Sequence, residues 1–306
     1  MSNTSREKGE DGALAETTRR APSHIILATD FSARCDRAQD RAVRLAIQWN
    51  ASLTAVHALT DMALTEDTSV RDAYRRAAMR NAASLREELA CVDGLRSSVI
   101  VEEGPVDWLV LEIAARERAE LIVTGIARSG PLAQVLVGSN VTALARKSPI
   151  PLLVVKKRVL DTDERAFVAT DLSESSKLAL MVALRWFGLR RLCLFHAFEP
   201  PYRGFAHDSA DYDRQFETKS LDQCRDFLRE VAGEEAVAKF DIVARRGDPV
   251  MGLQVLTNDA DTDLVIVGTH GRTGLLHAVV GSVASRVLEA VPCDVLVVPS
   301  RQRKAH

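Results

Sequence analysis

The chain has 306 residues, of which 46% are hydrophobic and 27% are charged, and its formal net charge is -2. The length predicts two domains, and the composition is that of an ordinary globular protein. Because there is no basic excess and no apolar run approaches the roughly 20 residues of a membrane span, we expect neither a nucleic-acid partner nor a transmembrane segment.

Residues 1–22 are polar and mixed in charge, and they lack the apolar core of a signal peptide. We expect these residues to form a disordered N-terminal tail, and we expect the protein to be cytoplasmic. The cysteines never occur in CxxC spacing, which argues against a zinc site and against a disulfide framework. The sequence instead predicts buried free thiols at Cys35, Cys91, Cys193, Cys224 and Cys293.

The first half of the chain, residues 23–157, alternates short apolar runs with amphipathic stretches. This alternation is typical of βαβ units around a parallel sheet. The apolar runs predict strands near 24–29, 52–58, 97–101, 120–124 and 151–155. Apolar residues at helical spacing predict helices over about 38–49, 70–89, 106–118 and 139–147.

A short, charged stretch from Lys156 to Glu164 follows, and we interpret it as a linker. The second half, residues 164–300, then shows the same alternation of apolar runs and helical stretches. Its predicted strands lie near 165–169, 191–196, 240–244, 263–267 and 294–298.

The two halves are copies of one plan. The run Ala28-Thr29-Asp30 returns as Ala169-Thr170-Asp171, and from Gly104 and Gly247 onward the copies stay in register at a constant offset of 143 residues. Such long-range self-similarity indicates two repeats of one fold. The sequence therefore predicts an α/β protein whose two repeats pack as a pseudo-symmetric pair.

A glycine-rich stretch, VGTHGRTGLLHAVVGS, follows the fourth predicted strand of the second repeat at residues 267–282. Ligands of parallel α/β sheets lie beyond the carboxyl ends of the strands, where Gly268 and Gly271 fall. Gly281-Ser282 opens the next predicted helix, whose N-terminus suits an anion, and Ser282 can cap that helix or donate its hydroxyl. Arg272 is a further candidate phosphate contact. The alternative is a glycine-rich turn with an ordinary helix cap.

This pattern is neither a Walker loop, since it has no GK[ST], nor a Rossmann loop, which would follow the first strand. The spacing Gly268, Gly271, nine residues, Gly281-Ser282 instead resembles the motif of the universal stress protein family. The Ala-Thr-Asp after the first strand and the PCDVLVV run at the last strand also resemble that family, and the resemblance covers both repeats.

The resemblance implies a five-stranded parallel sheet with helices on both faces in each repeat, similar to the adenine nucleotide alpha hydrolases. It also implies ATP at the strand ends of the second repeat. Asp171 would then bind the ribose or adenine side, and the backbone of Ala197 would meet the adenine. Val267 and Gly268 would flank the nucleotide, while Gly271, Gly281 and Ser282 would hold the phosphates. The alternative role of Asp171 is that of a turn or helix-cap residue.

The first repeat departs from the motif at one position. Gly125, Gly138 and Ser139 match their counterparts, and Asp30 matches Asp171, but Arg128 stands where the second repeat has Gly271. Because an arginine is penalised where a close backbone approach needs glycine, we expect a degraded site. The alternative is that the guanidinium anchors a different anion, so these residues are weaker binding candidates.

Three other features bear on catalysis, on access to the nucleotide and on metal binding. His57 and His196 occupy equivalent strand ends, and we interpret them as hydrogen-bonded structural residues without a catalytic role. Residues 199–213 are rich in aromatic and acidic side chains, and we interpret them as a mobile loop near the nucleotide. Magnesium would enter only with the phosphates of ATP, because no dedicated set of ligands is visible.

The leading hypothesis is a stress-response protein that binds ATP in its second repeat and acts as a binding or signalling module. Two alternatives stay open: a slow ATP-hydrolysing enzyme on the same scaffold, and a carrier of an apolar or lipid ligand that does not use ATP. By resemblance, the last strand of each repeat pairs across an intramolecular pseudo-dimer, and a further homodimer is an additional expectation.

Overall fold

The computed structural model describes residues 21–60, 67–126, 137–158, 165–188, 192–202, 208–259, 262–269 and 281–300. The strands of the first repeat are β1 (His24–Ala28), β2 (Ser52–Leu59), β3 (Arg96–Glu103), β4 (Leu121–Gly125) and β5 (Leu152–Val155). Its helices are α1 (Asp36–Trp49), α2 (Thr68–Ala90), α3 (Val106–Arg116) and α4 (Ser139–Lys147).

The second repeat follows the same order. Its strands are β6 (Ala166–Thr170), β7 (Leu192–Phe198), β8 (Asp241–Arg246), β9 (Leu264–Gly268) and β10 (Asp294–Val298). Its helices are α5 (Glu174–Phe187), α6 (Ser209–Ala232), α7 (Glu234–Lys239), α8 (Pro249–Asp259) and α9 (Ser282–Ala290). Each predicted strand therefore exists, with its ends displaced by at most a few residues.

All ten strands form one continuous sheet in the order β3-β2-β1-β4-β5-β10-β9-β6-β7-β8. Within each repeat the five strands are parallel, as the resemblance implied. The repeats join where β5 and β10 pair antiparallel, with Leu153 opposite Leu296. This pairing uses the edge of each five-stranded sheet, so neither apolar last strand is left as an exposed edge.

Alternate residues of each strand enter two separate hydrophobic cores, one on either face of the sheet. In β1, Ile25 and Leu27 belong to the core that also contains residues of α1, α2, α5 and α6, whereas Ile26 and Ala28 belong to the core that contains residues of α3, α4, α8 and α9. Burial on both faces explains why the strands read as continuous apolar runs. In the resulting three layers, the carboxyl ends of the parallel strands lie at one rim of the sheet in the first repeat and at the opposite rim in the second, because β5 and β10 are antiparallel.

Aromatic side chains also join the repeats on the α1 and α5 face. Trp49, at the end of α1, lies 5.7 Å from the Trp186 ring and 6.1 Å from the Phe187 ring, centroid to centroid. Aromatic pairs at such separations stabilise an interface beyond their area alone. The contact lies beside the β5–β10 pairing and strengthens the junction.

A buried ionic cluster completes this junction, and it includes Lys156, the first residue of the predicted linker. Lys156 is only 1% exposed, and its Nζ donates to the carbonyl oxygens of Leu288, at 2.5 Å, and Val291, at 2.8 Å. Its backbone N–H donates to Asp294 Oδ1 at 2.7 Å, and Arg41 Nε lies 3.8 Å from Asp294 Oδ2. A first-repeat lysine therefore caps the C-terminal end of α9 in the second repeat.

This cluster predicts a pH dependence of stability. Burial lowers the pKa of Lys156 from 10.5 to about 8, against the opposing charges of Cys293, Asp294 and Glu289. Between these two pH values the unfolded chain keeps a proton that the folded chain has lost, so the free energy of unfolding rises with pH. We measure the free energy of unfolding by urea denaturation. Between pH 8 and pH 10.5 it should rise by up to about 3 kcal/mol more in the wild type than in Lys156→Met. Equal pH slopes in the two proteins would contradict this.

Three further sequence predictions meet the structure with mixed outcomes. Cys193, Cys224 and Cys293 are buried free thiols as predicted, but Cys35 is only partly buried and Cys91 is exposed. In the predicted mobile loop, residues 203–207 lie outside the described part of the chain. The rest is more ordered than expected, because Asp208 caps α6 by accepting from the N–H groups of Ala210 and Asp211. Residues 1–20 of the predicted tail also lie outside the described residues.

Candidate functional site

In the first repeat, the carboxyl ends of β1, β2 and β4 meet the N-terminus of α4 around a cavity of about 400 Å³. The residues that line it include six predicted nucleotide contacts or counterparts of one: Asp30, Ala58, Thr124, Gly125, Gly138 and Ser139. Parallel strands bring their ends to one edge, which is why residues so far apart in sequence converge here.

The aspartate after the first strand sits in a tight turn in both repeats. The residue that follows it, Phe31 or Leu172, has a positive φ of 57° or 65°, which is uncommon for residues other than glycine. Asp171 Oδ1 accepts from the backbone N–H of Ser173, at 3.1 Å, and from Ser176 Oγ, at 2.6 Å. Asp171 therefore does serve as a turn residue, while Ser173 caps α5.

The Asp30 carboxylate also lies among hydrogen-bond donors and beside a cation. Its Oδ1 accepts from the backbone N–H of Ser32 at 2.8 Å, from Ser32 Oγ at 2.5 Å and from Cys35 Sγ at 3.2 Å. Arg34 Nη2 lies 3.5 Å from Oδ2. Burial alone would raise the pKa of Asp30, but the hydrogen bonds from Ser32 and Cys35 and the charge of Arg34 outweigh it and lower the pKa. The carboxylate is therefore ionised at neutral pH.

Gly125 and Gly268, at the ends of the fourth strands, have a packing role. A Cβ on Gly268 would lie 2.5 Å from Ser175 Oγ and 2.8 Å from the Ser175 carbonyl oxygen. At Gly125 the nearest atom would be the Arg34 carbonyl oxygen, at 3.2 Å. Glycine is needed at Gly268 because the first turn of α5 approaches the end of β9 closely. At Gly125 the turn leading into α1 approaches the end of β4 in the same way. This role exists alongside the predicted contact with a nucleotide.

The two Gly-Ser pairs open α4 and α9 at equivalent places in the two repeats, which lie at opposite ends of the sheet because β5 and β10 pair antiparallel. Gly138 and Gly281 are the N-cap residues, with φ of -61° and -55°, and neither helix has a side-chain cap among the described residues. Ser282 is the first helical residue and Gly281 is the N-cap, so of the two roles considered for the Ser282 hydroxyl, the structure does not show the helix cap. The first N–H groups of an α-helix have no partner within the helix, and they point out of its end with its positive dipole.

The two strand-end histidines are structural. The Nδ1 atoms of His57 and His196 lie 2.9 Å from the carbonyl oxygens of Thr29 and Thr170, respectively, and both rings are buried. Each histidine bonds the end of the neighbouring strand and so fixes the rim. This confirms the part of the prediction that both histidines are hydrogen-bonded.

The remaining predicted contacts of the second repeat divide into three groups. Asp171 and Ala197 line one cavity of about 360 Å³, together with His196 and residues of α6. Val267 is buried in the hydrophobic core, so only its backbone can face a ligand. Gly271 and Arg272, like Arg128 in the first repeat, lie outside the described residues.

The sequence analysis missed Arg34. It lines the first cavity and pairs with Asp30, whereas the second repeat has Ser175 at the equivalent position. An alignment of the two repeats around Asp30 and Asp171 shows this difference, but not that the side chain faces the cavity.

With this geometry in view, comparison with known proteins assigns the family. The model of the universal stress protein family matches residues 22–156 and again residues 164–299. The chain belongs to the universal stress protein family and contains two copies of its domain.

Some relatives match most of this chain, and others match about a third of it. A universal stress protein of Mycobacterium tuberculosis is 29% identical over 295 residues, which cover 89% of this chain and 96% of that protein. A putative universal stress protein of Staphylococcus saprophyticus is 35% identical over 95 residues, which cover 30% of this chain and 57% of that protein.

Solved structures show the same fold. A functionally unknown protein from Pseudomonas aeruginosa superposes with a TM-score of 0.67 at 19% identity, covering 92% of this chain and 94% of its own. A universal stress protein from Archaeoglobus fulgidus gives a TM-score of 0.66 at 17% identity, covering 91% and 98%. The ten-stranded, two-repeat architecture is therefore shared.

Among the described residues, no helix is both long enough and apolar enough to cross a bilayer. Within the same ranges, no group of three or more His, Cys, Asp or Glu side chains is arranged to hold a metal ion.

Proposed function

We propose that this protein is a cytoplasmic stress-response module that binds ATP in its second repeat. The observation that carries the proposal is the open N-terminus of α9, which begins at Gly281 without a side-chain cap at the carboxyl-end rim of the sheet. An uncapped helix start with a glycine N-cap offers backbone N–H groups to a phosphate. The motif that the chain shares with its family supports the same location.

The described residues fit an adenine nucleotide at both of its ends. Gly281 N–H donates to the Thr269 carbonyl oxygen at 2.6 Å, which fixes the start of α9 against the end of β9. The N–H groups that follow it in the helix then bind phosphate oxygens, and the exposed Ser282 hydroxyl donates to one of them. At the other end, Asp171 lines a cavity with Ala197, where its carboxylate accepts from ribose hydroxyls. Magnesium would be held through the phosphates.

We propose a binding role without rapid turnover. The described residues at the rim supply backbone N–H groups and hydroxyls, and His196 is already committed to the Thr170 carbonyl oxygen. Efficient phosphoryl transfer needs a residue that orients the attacking water, and none of the described rim residues is placed for that task. The two repeats then act as an intramolecular pseudo-dimer, which the β5–β10 pairing supports.

A substitution that adds one negative charge at Ser282 distinguishes an effect on ligand binding from an effect on folding. Glutamate at Ser282 places a carboxylate in the first turn of α9, where it suits the helix dipole but repels phosphate. We expect Ser282→Glu to weaken ATP binding by at least about tenfold, equivalent to about 1.4 kcal/mol, in calorimetric titration with magnesium. The melting temperature should stay equal or rise.

The matched control is Ser139→Glu, which adds the same charge at the start of α4 in the first repeat. It should leave the ATP affinity of the second repeat unchanged. Equal ATP affinity in the wild type and Ser282→Glu would overturn the phosphate assignment. Sustained phosphate release that Ser282→Glu abolishes would favour an ATP-hydrolysing enzyme, and no ATP binding at all would favour the carrier of an apolar ligand.

A further inference from the structure

We propose that the first repeat holds a second nucleotide site with a different specificity: Arg34 makes its cavity select a nucleotide that carries a phosphate monoester on the ribose. The inference rests on the proposed function, because it takes the ribose end of the site to lie at the aspartate after the first strand. It goes further by naming a ligand class for the repeat whose motif is incomplete.

The first observation is a formed cavity in this repeat. Its lining includes Asp30 and Arg34 as well as Gly138 and Ser139 at the N-terminus of α4. Two groups that attract anions, the Arg34 guanidinium and the start of α4, therefore face the same space. A nucleotide with a phosphate on its ribose besides its 5′-phosphate matches this arrangement better than one with an unmodified ribose.

The second observation is the state of the Asp30 carboxylate. Oδ1 already accepts from the backbone N–H and hydroxyl of Ser32 and from the Cys35 thiol, and Oδ2 lies 3.5 Å from Arg34 Nη2. Burial raises the pKa of Cys35 to about 11, so this thiol stays protonated and keeps donating. The cation beside Oδ2 balances the charge of Asp30 and lies next to the oxygen that would otherwise accept from a ribose hydroxyl.

The third observation is the contrast between the repeats. The position of Arg34 is taken by Ser175 in the second repeat, where the side chain is buried against Gly268. The charged side chain of Arg34 instead remains more than half exposed at the cavity and can move toward a ligand. In other nucleotide folds an acidic residue accepts from a free ribose hydroxyl, whereas a nearby arginine accommodates a ribose phosphate. The two repeats show the same contrast within one chain.

The test uses the full-length protein with Ser282→Glu, which weakens phosphate binding by the second repeat. Adenosine 5′-monophosphate, adenosine 2′,5′-bisphosphate and adenosine 3′,5′-bisphosphate are titrated separately by calorimetry. We expect at least one bisphosphate to bind about tenfold or more tightly than the monophosphate, because one charge-assisted bidentate contact is added. The 2′ and 3′ forms show which hydroxyl carries the recognised phosphate.

Adding Arg34→Ser should bring the affinities of the monophosphate and bisphosphates to within about twofold of each other, with an unchanged melting temperature. Arg225→Ser is the control, because Arg225 forms an exposed ion pair with Asp222 on α6 and should leave the preference intact. Adding Ser139→Glu should remove the remaining binding, which assigns it to the first repeat.

A bisphosphate preference that survives Arg34→Ser, or no preference in the first place, would overturn the inference. Failure of all three ligands to bind the Ser282→Glu protein would overturn it as well. Neither result bears on ATP binding in the second repeat, because that is measured separately as the affinity lost between the wild type and Ser282→Glu.

Discussion

Replacing Asp294 with alanine should destabilise the protein by about 3–5 kcal/mol, the range for breaking a buried ion pair by removing one partner. The Asp294 carboxylate is fully buried and accepts from the backbone N–H groups of Lys156 and Lys157, at 2.7 and 3.0 Å. It also lies beside the buried Arg41 guanidinium. Alanine leaves these donors and the charges of Arg41 and Lys156 without this carboxylate, in a place that water does not reach.

The measurement is the free energy of unfolding from urea denaturation, with circular dichroism confirming that the variant is folded without urea. Asp222→Ala is the matched control, because it removes a carboxylate from the exposed pair with Arg225 and should cost less than about 1 kcal/mol. A loss at Asp294 no larger than that at Asp222 would show that the junction cluster contributes little. Since Asp294 begins β10, we also expect the variant to loosen the contact between the repeats.

Gly268→Ala should destabilise the protein by about 2–3 kcal/mol, at the upper end of the usual cost of overpacking. The added Cβ would lie 2.8 Å from the Ser175 carbonyl oxygen, which belongs to the backbone of α5 and cannot rotate away. Either β9 or α5 must therefore shift. Urea denaturation again gives the loss of free energy.

Gly125→Ala is the matched variant in the first repeat. Its Cβ would lie 3.2 Å from the Arg34 carbonyl oxygen, so a shift of a few tenths of an ångström suffices and the expected loss is about 1 kcal/mol or less. Equal losses at the two glycines would contradict the packing explanation. A folded Gly268→Ala protein with weakened ATP binding would show that this glycine also contacts the ligand.

The fold was predictable because its signals are local and repeated. Each buried strand is a short apolar run and each repeat has the same order of runs, so the pair Leu121–Gly125 and Leu264–Gly268 marks the same strand twice. The rim position of Gly281 and Ser282 followed from the rule that ligands lie at the carboxyl ends of parallel strands. That His57 and His196 are hydrogen-bonded was also predicted, but their partners were not.

The details of the site were less predictable because they depend on which side chains face each other. Val70 and Tyr74 share the helical spacing of α2, yet both are exposed, since this end of the helix extends beyond the sheet-facing contacts of Ala78, Leu85 and Leu89. Arg34 is one polar residue among many in the sequence. Only the turn after β1 brings it to the cavity beside Asp30.

The sequence by itself determined the two-repeat α/β plan, the family and the rim where a ligand is expected. All three follow from short sequence motifs and from the constant offset between the two repeats. Only the tertiary structure decided how the repeats join and what Lys156 does. Lys156 is a charged residue in a charged stretch, and its burial depends on partners more than 130 residues away, Leu288, Val291 and Asp294. Such contacts form only when β5 and β10 pair, so no local pattern could have shown them.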